Sequence, residues 1–355
     1  MKYRSNIISR SATLRDALKR INELSGKEMT LFVVDNEKCM HMLGTLTNGD
    51  IRRGILAGKS MEDSVETVMF PGFKRILDSE KDKVDAIRTI RKLGITLIPV
   101  VDKCGCLVDV VDLNRVDTIL PLQAVLMAGG KGERLRPMTL ETPKPLLKVD
   151  GKAIIDYNIE SLVKVGITDI SVATRYLADK IADHFSSPIE GVQVKCVRED
   201  APLGTIGAVS LIDFADEGNT LVMNSDLLTT ISFEEMYLKH RDTEAYATVG
   251  VIPYQISVPY AILSTEGDIV SGIEEKPSYS YYANAGIYIF RNEVLKSVAK
   301  DTPTDAPDLI RNVIAGGHKV TYHVINGTWI DIGSPTDFRQ AQELMRHHRN
   351  LGIRY

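Results

Sequence analysis

The sequence predicts an α/β chain in two parts: a small duplicated module at 1–120, then a Rossmann-like, doubly wound mixed-sheet domain at 121–355. One pattern of helix, strand and strand occurs twice before residue 120, and short apolar strands alternate with helices after it. The length of 355 residues suits two domains at about 150 residues each. The 44% hydrophobic and 25% charged residues are those of a globular protein.

Charge, hydropathy and cysteine content exclude several classes of protein. The 43 Lys and Arg residues against 47 Asp and Glu leave a net charge of −4, so no general affinity for nucleic acid or anionic lipid is expected. No apolar run approaches the roughly 20 residues of a membrane-spanning helix, and the first residues lack the apolar core of a signal peptide. Four cysteines are too few for a disulfide scaffold. We therefore expect a cytoplasmic protein that binds neither a membrane nor nucleic acid.

The first module repeats one pattern of elements. The first copy predicts a helix at 12–24, strands at 30–34 and 40–45, and a helix at 48–56. The second copy predicts a helix at 84–93, strands at 96–101 and 106–111, and a short helical end near Leu113. Because a copy of roughly 60 residues can hardly bury a sheet face alone, the duplication predicts a pseudo-symmetric pair.

The segment GTLTNGDIRR at 44–53 resembles part of a cystathionine-β-synthase (CBS) domain, so the module resembles a tandem CBS pair. Such pairs commonly bind adenine nucleotides through a Thr-x-x-Asp, which would here be Thr47 and Asp50. A helix N-terminus suits an anion, and Asp50 can accept from ribose hydroxyls. Thr47 and Asp50 are equally the residues that cap such a helix. In the second copy a carboxylate, Asp109, stands where the family usually has Ser or Thr, and it would repel phosphate.

The second domain alternates strands and helices. Strands are predicted at 123–127, 169–173, 193–197 and 220–223, and helices at 154–165, 178–185 and 206–214. In sheets of this kind, ligands bind beyond the carboxyl ends of the strands. Two of those ends, after Met127 and after Met223, are followed by motifs that carry chemistry.

A glycine-rich loop follows the first of these strands. Gly129, Gly130 and Gly132 let the backbone approach a polyphosphate and direct amide hydrogens at it. The spacing is neither that of a Walker loop nor that of the dinucleotide fingerprint. Arg134, just after the loop, and Lys144, held between two prolines, supply cations suited to several phosphates at once.

The segment 126–147 resembles the signature of the sugar-phosphate nucleotidyltransferases, G-G-x-G-T-R-L…P-K-P-L-L, and further motifs extend the resemblance over nearly all of 122–355. It implies that Arg134 stabilises the leaving pyrophosphate and that Lys144 holds the nucleotide phosphates. Glu133 replaces the usual Thr of the signature. Asp226 and Asp331 match the metal carboxylates of the family, which implies Mg²⁺ as cofactor, since two carboxylates are the minimum that Mg²⁺ would take beside phosphate oxygens and water.

The resemblance also implies contacts to the acceptor sugar. Glu275 would accept hydrogen bonds from sugar hydroxyls, and Lys276 would hold the sugar 1-phosphate, in the E-K-P segment of the family. Asn284 and Gly207 are further candidate sugar contacts. Ala261 stands where the family more often has Gly, and its methyl group could narrow the sugar pocket, so the identity of the sugar stays open.

The segment 199–208, which contains Gly204, resembles the base-binding loop of the family. Glu199 stands where thymidylyl and many uridylyl enzymes have Gln. An ionised carboxylate only accepts, and guanine offers adjacent N1–H and N2–H donors. Uracil and thymine would place carbonyls against it, at a cost of roughly 1–3 kcal/mol for each unpaired group. Glu199 therefore favours GTP; the alternative is that Glu199 faces solvent and the backbone reads the base.

The predicted activity is Mg²⁺-dependent transfer of a nucleotidyl group from an NTP, with GTP favoured, to a sugar 1-phosphate, which gives a nucleotide-diphospho-sugar and pyrophosphate. A phosphate oxygen of the sugar attacks the α-phosphorus in line, and it is already anionic, so no general base is needed. Lys276, Lys144, Arg134 and Mg²⁺ would position the groups and neutralise their charge.

Several alternatives remain open from sequence. CBS modules combined with a guanylyltransferase-like domain resemble enzymes that make GDP-glucosamine-type sugars, with mannose 1-phosphate and heptose 1-phosphate as competing acceptors. The chain could instead be a regulatory subunit that binds a nucleotide sugar without turnover. The first module is either a sensor of adenine nucleotides or an assembly module, and we expect it to help form a homo-oligomer.

Overall fold

The computed structural model describes residues 3–24, 29–36 and 38–350. The chain divides into two compact units, Met1–Pro121 with Lys164–Gly166, and Leu122–Val163 with Ile167–Tyr355. Each unit has its own sheets and its own apolar cores. No helix in the described part of the chain combines the length and the apolar character that crossing a membrane requires.

The first unit contains one α/β arrangement twice. The first copy comprises β1 (Ile7–Ser9), α1 (Leu14–Glu23), β2 (Leu31–Val34), β3 (Met42–Leu46) and α2 (Asn48–Leu56). The second copy comprises β4 (Ile76–Leu77), α3 (Val84–Arg91), β5 (Leu97–Val101) and β6 (Leu107–Asp112). In each sheet the first strand is parallel to the second, and the second is antiparallel to the third. The predicted order of helix, strand and strand is therefore present in both copies.

The short helical end predicted near Leu113 is wrong. The chain turns after β6, and Oδ1 of Asp112 accepts hydrogen bonds from both the backbone amide and the side chain of Asn114, each at 2.9 Å. Such local side-chain bonds satisfy the backbone amides that a helix would use. The predicted helix 12–24 is confirmed as α1, which buries Leu14 and Ile21 in the core of the first copy.

In the described part of the chain, the second unit is built on a seven-stranded mixed sheet of order β11-β10-β7-β12-β17-β14-β18. Its strands are β7 (Leu122–Ala128), β8 (Lys148–Val149), β9 (Lys152–Ala153), β10 (Ile170–Thr174), β11 (Lys195–Arg198), β12 (Asn219–Asn224), β13 (Leu227–Thr229), β14 (Ala247–Ser257), β15 (Ile262–Glu266), β16 (Ile269–Glu274), β17 (Ser278–Arg291), β18 (Val320–Val324) and β19 (Trp329–Asp331). Its helices are α4 (Ile154–Lys164), α5 (Ala178–His184), α6 (Phe233–Asp242), α7 (Asn292–Lys296), α8 (Ala306–Ala315) and α9 (Pro335–Asn350).

The winding of this sheet reverses between the neighbouring strands β7 and β12. β7 is parallel to β10 and to β12, and β17 is antiparallel to β12 and β14. From β7 the chain builds β10 and β11 on one side and then returns to β12 on the other. One core joins Val125 and Val222 of the sheet to α7 and α8, and a second joins α4 and α9 to the β13–β19 pair. The predicted doubly wound mixed sheet is confirmed.

The helix predicted at 206–214 is wrong in length and type. Only a 3-10 helix, Gly207–Leu211, forms there. The amides of Ile206 and Gly207 both donate to the carbonyl of Thr304 at 3.1 Å, and a Cβ on Gly207 would lie 3.1 Å from the carbonyl oxygen of Thr302. These contacts to a segment distant in sequence override the apolar periodicity that suggested a helix.

His240 on α6 couples the stability of the second unit to pH. Its ring nitrogens lie 2.8 Å from Oγ1 of Thr248 and 3.0 Å from Oδ1 of Asn219. Burial, with a smaller contribution from Arg291, lowers the pKa of His240 from 6.5 to about 4. The unfolded chain binds more protons between these values, so the stability is full above pH 6.5 and falls by roughly 3 kcal/mol on acidification to pH 4.

The measurement is the free energy of unfolding as a function of pH for the wild-type chain and for His240→Gln. The variant is expected to lack this part of the pH dependence, because glutamine does not titrate. Equal slopes between pH 4 and pH 6.5 would contradict the prediction.

Candidate functional site

Two motifs meet where the winding of the sheet reverses. β7 and β12 are parallel neighbours, and Met127 pairs with Asn224 near their carboxyl ends. The hydroxyl and the amide of Ser225 both donate to the carbonyl of Met127, at 2.7 and 3.2 Å. These bonds bring the glycine-rich loop after β7 next to Asp226, at the edge where doubly wound sheets bind ligands.

A second carboxylate is added by a short antiparallel pair. In the pairing of β13 with β19, Leu227 lies opposite Asp331. The amide of Ile332 donates to the carbonyl of Asp226 at 3.1 Å. Asp226 and Asp331 therefore lie side by side, although they are far apart in sequence.

Two cations lie against this carboxylate pair. The ammonium group of Lys144 forms an ion pair with Oδ2 of Asp226 and lies 3.6 Å from Oδ1 of Asp331. The guanidinium of Arg134 packs on Gly333, where a Cβ would come within 2.9 Å of one of its nitrogens. The structure thus brings together Arg134, Lys144, Asp226 and Asp331, the four charged residues singled out from the sequence.

The electrostatics of this cluster fit a divalent cation. Burial and the neighbouring Asp226 raise the pKa of Asp331, whereas Lys144 and Arg134 lower it. Oδ1 of Asp226 is buried and has no hydrogen-bond partner in the described part of the chain, and the buried Oδ1 of Asp331 has only the ammonium group of Lys144, at 3.6 Å. Buried carboxylate oxygens without partners are unfavourable unless a cation satisfies them. Two buried carboxylate oxygens suit Mg²⁺, whose other ligands would be phosphate oxygens and water.

A metal site made by protein side chains alone is absent from the described residues. No group of three or more His, Cys, Asp or Glu side chains there is arranged to hold an ion. The aspartate pair therefore leaves most of a coordination sphere to be filled by a ligand, as expected for an ion that binds together with polyphosphate.

Asn158 is a positioning residue that the sequence analysis did not identify. It lies on the buried face of α4, and its side-chain amide donates to the carbonyls of Ser225 at 3.3 Å and Leu227 at 3.0 Å. These carbonyls flank Asp226, so Asn158 fixes the backbone on both sides of it. The only signal in the sequence is a polar residue at a buried position of an amphipathic helix.

The predicted glycines of the site have distinct structural roles. Gly132 and Gly204 have φ of +60° and +77°, a region that favours glycine. A Cβ on Gly204 would lie 2.5 Å from the carbonyl oxygen of Thr304, whereas a Cβ on Gly130 would meet open space. Gly207 is buried against the backbone around Thr304 and donates its amide to the Thr304 carbonyl, so in this structure it holds two segments of the chain together.

Glu199 is buried immediately after β11, with 4% of its surface exposed. One carboxylate oxygen accepts from the amide of Leu203 at 3.4 Å, and the other lies 2.6 Å from the place where a Cβ on Gly129 would be. Burial raises the pKa of Glu199, while the Leu203 amide and the charge of Arg175 lower it. The alternative in which Glu199 faces solvent is wrong.

The residues predicted to bind the acceptor are divided between two places. Asn284 donates to the hydroxyl of Tyr288 at 2.8 Å and accepts from the amide of Gly286 at 3.0 Å. Gly286 in turn lies against the side chain of Asn224, at the end of β12. Glu275 and Lys276 follow β16, the second strand of the two-stranded β15–β16 sheet; both are exposed, and neither has a hydrogen bond or ion pair within the described residues. Asn284 is thus near the charged cluster, whereas Glu275 and Lys276 form no hydrogen bond or ion pair with its residues.

In the first unit, Thr47 and Asp50 bond to each other. The hydroxyl oxygen of Thr47 accepts from the amide of Asp50 at 3.4 Å, and the Asp50 carboxylate accepts from the amide of Thr47 at 2.8 Å. Arg53 forms an ion pair with the same carboxylate. In this structure the two residues form the reciprocal N-terminal cap of α2.

Comparison with known proteins places this site in a family context. The model of the nucleotidyl transferase family matches residues 123–348. Mannose-1-phosphate guanyltransferase beta-A of Xenopus laevis is 31% identical over 226 residues, which are 61% of this chain and 62% of the relative. Mannose-1-phosphate guanylyltransferase catalytic subunit beta of Dictyostelium discoideum is 29% identical over 232 residues, 63% and 64% of the two chains. This chain therefore matches only about three fifths of the length of these relatives.

Solved structures share the fold of the second unit. One is a Bacillus anthracis protein provisionally assigned as a glucose-1-phosphate thymidylyltransferase, in complex with sucrose, at 25% identity and a TM-score of 0.52. The match covers 63% of this chain and 95% of that one. HddC from Yersinia pseudotuberculosis, complexed with GMP-PN, matches at 23% identity and a TM-score of 0.50, over 63% and 99% of the two chains. At 23% identity, the match to HddC shows that the fold is shared and nothing about function.

Proposed function

Because the chain belongs to the nucleotidyl transferase family, we propose that its second unit transfers a nucleotidyl group from an NTP to a sugar 1-phosphate and releases pyrophosphate. The observation that carries the proposal is the convergence of Arg134 and Lys144 on Asp226 and Asp331 where the sheet winding reverses. Cations beside two buried carboxylate oxygens suit a metal-bound triphosphate. The names of the relatives, which specify guanylyl transfer to mannose 1-phosphate, support the same class of reaction.

In the proposed reaction, residues of this unit bind the metal and the phosphates. Asp226 and Asp331 would hold Mg²⁺, which when bound neutralises and orients the phosphates. The amides of the loop at 129–132 bind phosphate oxygens, Lys144 holds the nucleotide phosphates, and Arg134 stabilises the departing pyrophosphate. The sugar phosphate attacks the α-phosphorus as an anion, so no residue acts as a base. Positioning and charge neutralisation carry the rate.

On the acceptor side, we propose that Lys276 binds the sugar 1-phosphate, while Glu275 and Asn284 contact sugar hydroxyls and Gly207 lies near the sugar. The exposure of Glu275 and Lys276 supports this assignment, because neither charge is paired with another side chain in the part of the chain that the structure describes. We propose a GDP-glucosamine-type product, because a CBS-like module followed by a guanylyltransferase-like domain resembles enzymes that make such sugars. Mannose 1-phosphate is the second candidate acceptor, which the names of the relatives favour.

The test is a matrix of four NTPs against glucosamine, mannose and heptose 1-phosphates, with the full chain and Mg²⁺, read by release of pyrophosphate. We expect turnover with GTP and one of the three sugars. Tight binding of a GDP-sugar without turnover in any combination would replace the proposal with that of a regulatory subunit. Turnover with UTP or dTTP in preference to GTP would contradict the guanine assignment alone.

Glu199 is the residue proposed to select guanine. Its buried carboxylate beside Gly129 supports this role, because an ionised carboxylate can accept from both N1–H and N2–H. Glu199→Gln adds a donor at the same place and is expected to reduce the preference for GTP over UTP by about 10-fold or more. An unchanged preference, measured as the ratio of kcat/KM values, would show that Glu199 does not read the base.

Gly129→Ala is expected to weaken nucleotide binding by about 10-fold, because the new methyl group would displace the Glu199 carboxylate. The contact distance of 2.6 Å is well below any that a real Cβ tolerates. Affinity for GTP is measured by isothermal titration. Gly272→Ala is the matched control, since it lies outside the loop and its Cβ would make only ordinary contacts, 3.7 Å from the side chain of Ser264; equal losses in the two variants would contradict the prediction.

For the first unit, we propose a tandem CBS pair that binds an adenine nucleotide at Thr47 and Asp50 and contributes to a homo-oligomer. The duplicated sheet topology supports the first part. AMP, ATP and GTP are titrated into the wild-type chain and into Thr47→Ala/Asp50→Ala. The control is Thr13→Ala/Asp16→Ala, which removes the equivalent cap of α1. Equal heats in all three proteins would remove the sensor proposal, and light scattering gives the oligomeric state.

A further inference from the structure

The base-binding loop has a neighbouring cation that the proposed function does not use. We propose that Arg175 is a second base-reading residue, whose Nε donates to O6 of guanine while Glu199 accepts from N1–H and the 2-amino group. This inference rests on the proposed specificity for a guanine nucleotide. It assigns to Arg175 a hydrogen bond that decides which base is accepted.

The position of Arg175 follows from the register of three parallel strands. β7, β10 and β11 end level with one another, as the paired residues Ala128, Thr174 and Arg198 show. The next residues along the three strands are Gly129, Arg175 and Glu199. The amide of Glu199 also donates to the carbonyl of Thr174 at 2.8 Å, so the alignment continues to the loop.

The Glu199 side chain extends across the end of the middle strand. Neighbouring strands are about 4.8 Å apart, so Glu199 begins two strand spacings away from Gly129. Its Oε1 nevertheless lies 2.6 Å from the Cβ position of Gly129. The carboxylate therefore lies over the end of β10, the strand that Arg175 follows. A base edge held by this carboxylate lies beside Arg175.

The Nε of Arg175 can donate a hydrogen bond to the edge of a bound base. Its Nε is buried and has no hydrogen-bond partner in the described part of the chain. A buried donor without an acceptor is unfavourable, and an acceptor on a bound ligand would satisfy it. Burial raises the pKa of Glu199, and the charge of Arg175 opposes that effect, which favours the ionised carboxylate that guanine requires.

The combined pattern matches one base. Along its Watson–Crick edge guanine presents an acceptor, O6, followed by two donors, N1–H and the 2-amino group. A donor from Arg175 next to two acceptor oxygens of Glu199 complements all three positions. Adenine places its amino group against the donor, and cytosine does the same. Uracil and thymine match the first two positions and set their O2 carbonyl against the carboxylate.

The experiment measures equilibrium binding of three nucleotides to the full chain, so it does not require turnover. GDP is compared with 6-thio-GDP, in which a weak acceptor replaces O6, and with IDP, which lacks the 2-amino group. Wild-type protein is expected to bind both analogues about 10-fold more weakly than GDP. Arg175→Met is expected to bind GDP about 10-fold more weakly and to lose the discrimination against 6-thio-GDP, while it keeps the discrimination against IDP.

The matched control is Arg198→Met, because Arg198 adjoins Glu199 in sequence but is 63% exposed and pairs with Asp179 at 3.0 Å. It should bind all three nucleotides like wild type. Arg175→Lys keeps a charged donor and should recover part of the GDP affinity. If Arg175→Met binds GDP weakly but still discriminates against 6-thio-GDP, its role is structural and the inference is overturned.

The binding and turnover measurements distinguish a failure of this inference from a failure of the proposed function. Retained discrimination against 6-thio-GDP in Arg175→Met, with normal release of pyrophosphate from GTP by the wild-type chain, overturns the role of Arg175 alone. Wild-type protein that binds GDP selectively but releases no pyrophosphate overturns the catalytic proposal and leaves the role of Arg175 to the binding data. Wild-type protein that binds GDP no more tightly than 6-thio-GDP and IDP overturns the role of Arg175 and the guanine assignment, but not the proposed nucleotidyl transfer.

Discussion

Asp226→Asn is expected to lower the rate of nucleotidyl transfer by roughly 10²–10³-fold, because one of the two oxygens that would bind the metal becomes part of a neutral amide. Oδ1 of Asp226 is buried and has no hydrogen-bond partner among the described residues, and it lies beside Asp331, whose buried Oδ1 has Lys144 at 3.6 Å. The substitution preserves the shape of the side chain, and the backbone stays held by Asn158. Release of pyrophosphate is measured at saturating NTP over a range of Mg²⁺ concentrations.

The matched control for this substitution is Asp216→Asn. Asp216 lies in the same unit, is fully exposed and pairs with Lys296 at 2.6 Å, so its loss should leave the rate unchanged. Thermal unfolding of both variants separates a loss of activity from a loss of folding. A rate for Asp226→Asn within about 3-fold of wild type at low Mg²⁺ would show that this pair does not hold the metal.

Lys144→Gln is expected to have two opposite effects. Turnover should fall by about 100-fold, because the residue proposed to hold the nucleotide phosphates loses its charge. Binding of a divalent ion in the absence of nucleotide should become about 10-fold tighter, because the ammonium group no longer competes for the carboxylates of Asp226 and Asp331. Mn²⁺ titration followed by electron paramagnetic resonance measures the second effect without any substrate.

Lys148→Gln provides the comparison for Lys144. Lys148 lies four residues further along the chain, on β8, and is exposed, so neither turnover nor Mn²⁺ affinity should change. If Lys144→Gln binds Mn²⁺ no better than wild type does, Lys144 and the metal do not share the carboxylate pair. The proposed role of Lys144 in holding phosphates would then depend on the turnover measurement alone.

Many strands and turns of the second unit could be predicted from sequence, because they depend on residues that are close together along the chain. Short, mostly apolar segments bounded by polar residues placed β7 and β10 within one residue of their ends, since a strand buried on both faces is mostly apolar. The glycine-rich loop was recognisable because only glycine allows the backbone to turn so tightly, as the φ of Gly132 shows. Asp226 and Asp331 were recognisable only through the resemblance of their short motifs.

The sequence by itself determined where strands, caps and tight turns form, because these depend on neighbours within a few residues. Tertiary structure alone decided which side chains became partners. The helix expected at 206–214 gave way to bonds with Thr304, and Asn158 acquired its role only when α4 packed beside Asp226. Arg175 and Glu199 became neighbours because β10 and β11 pair in parallel register. Contacts between residues distant in sequence depend on the register and packing of whole elements, which no local pattern contains.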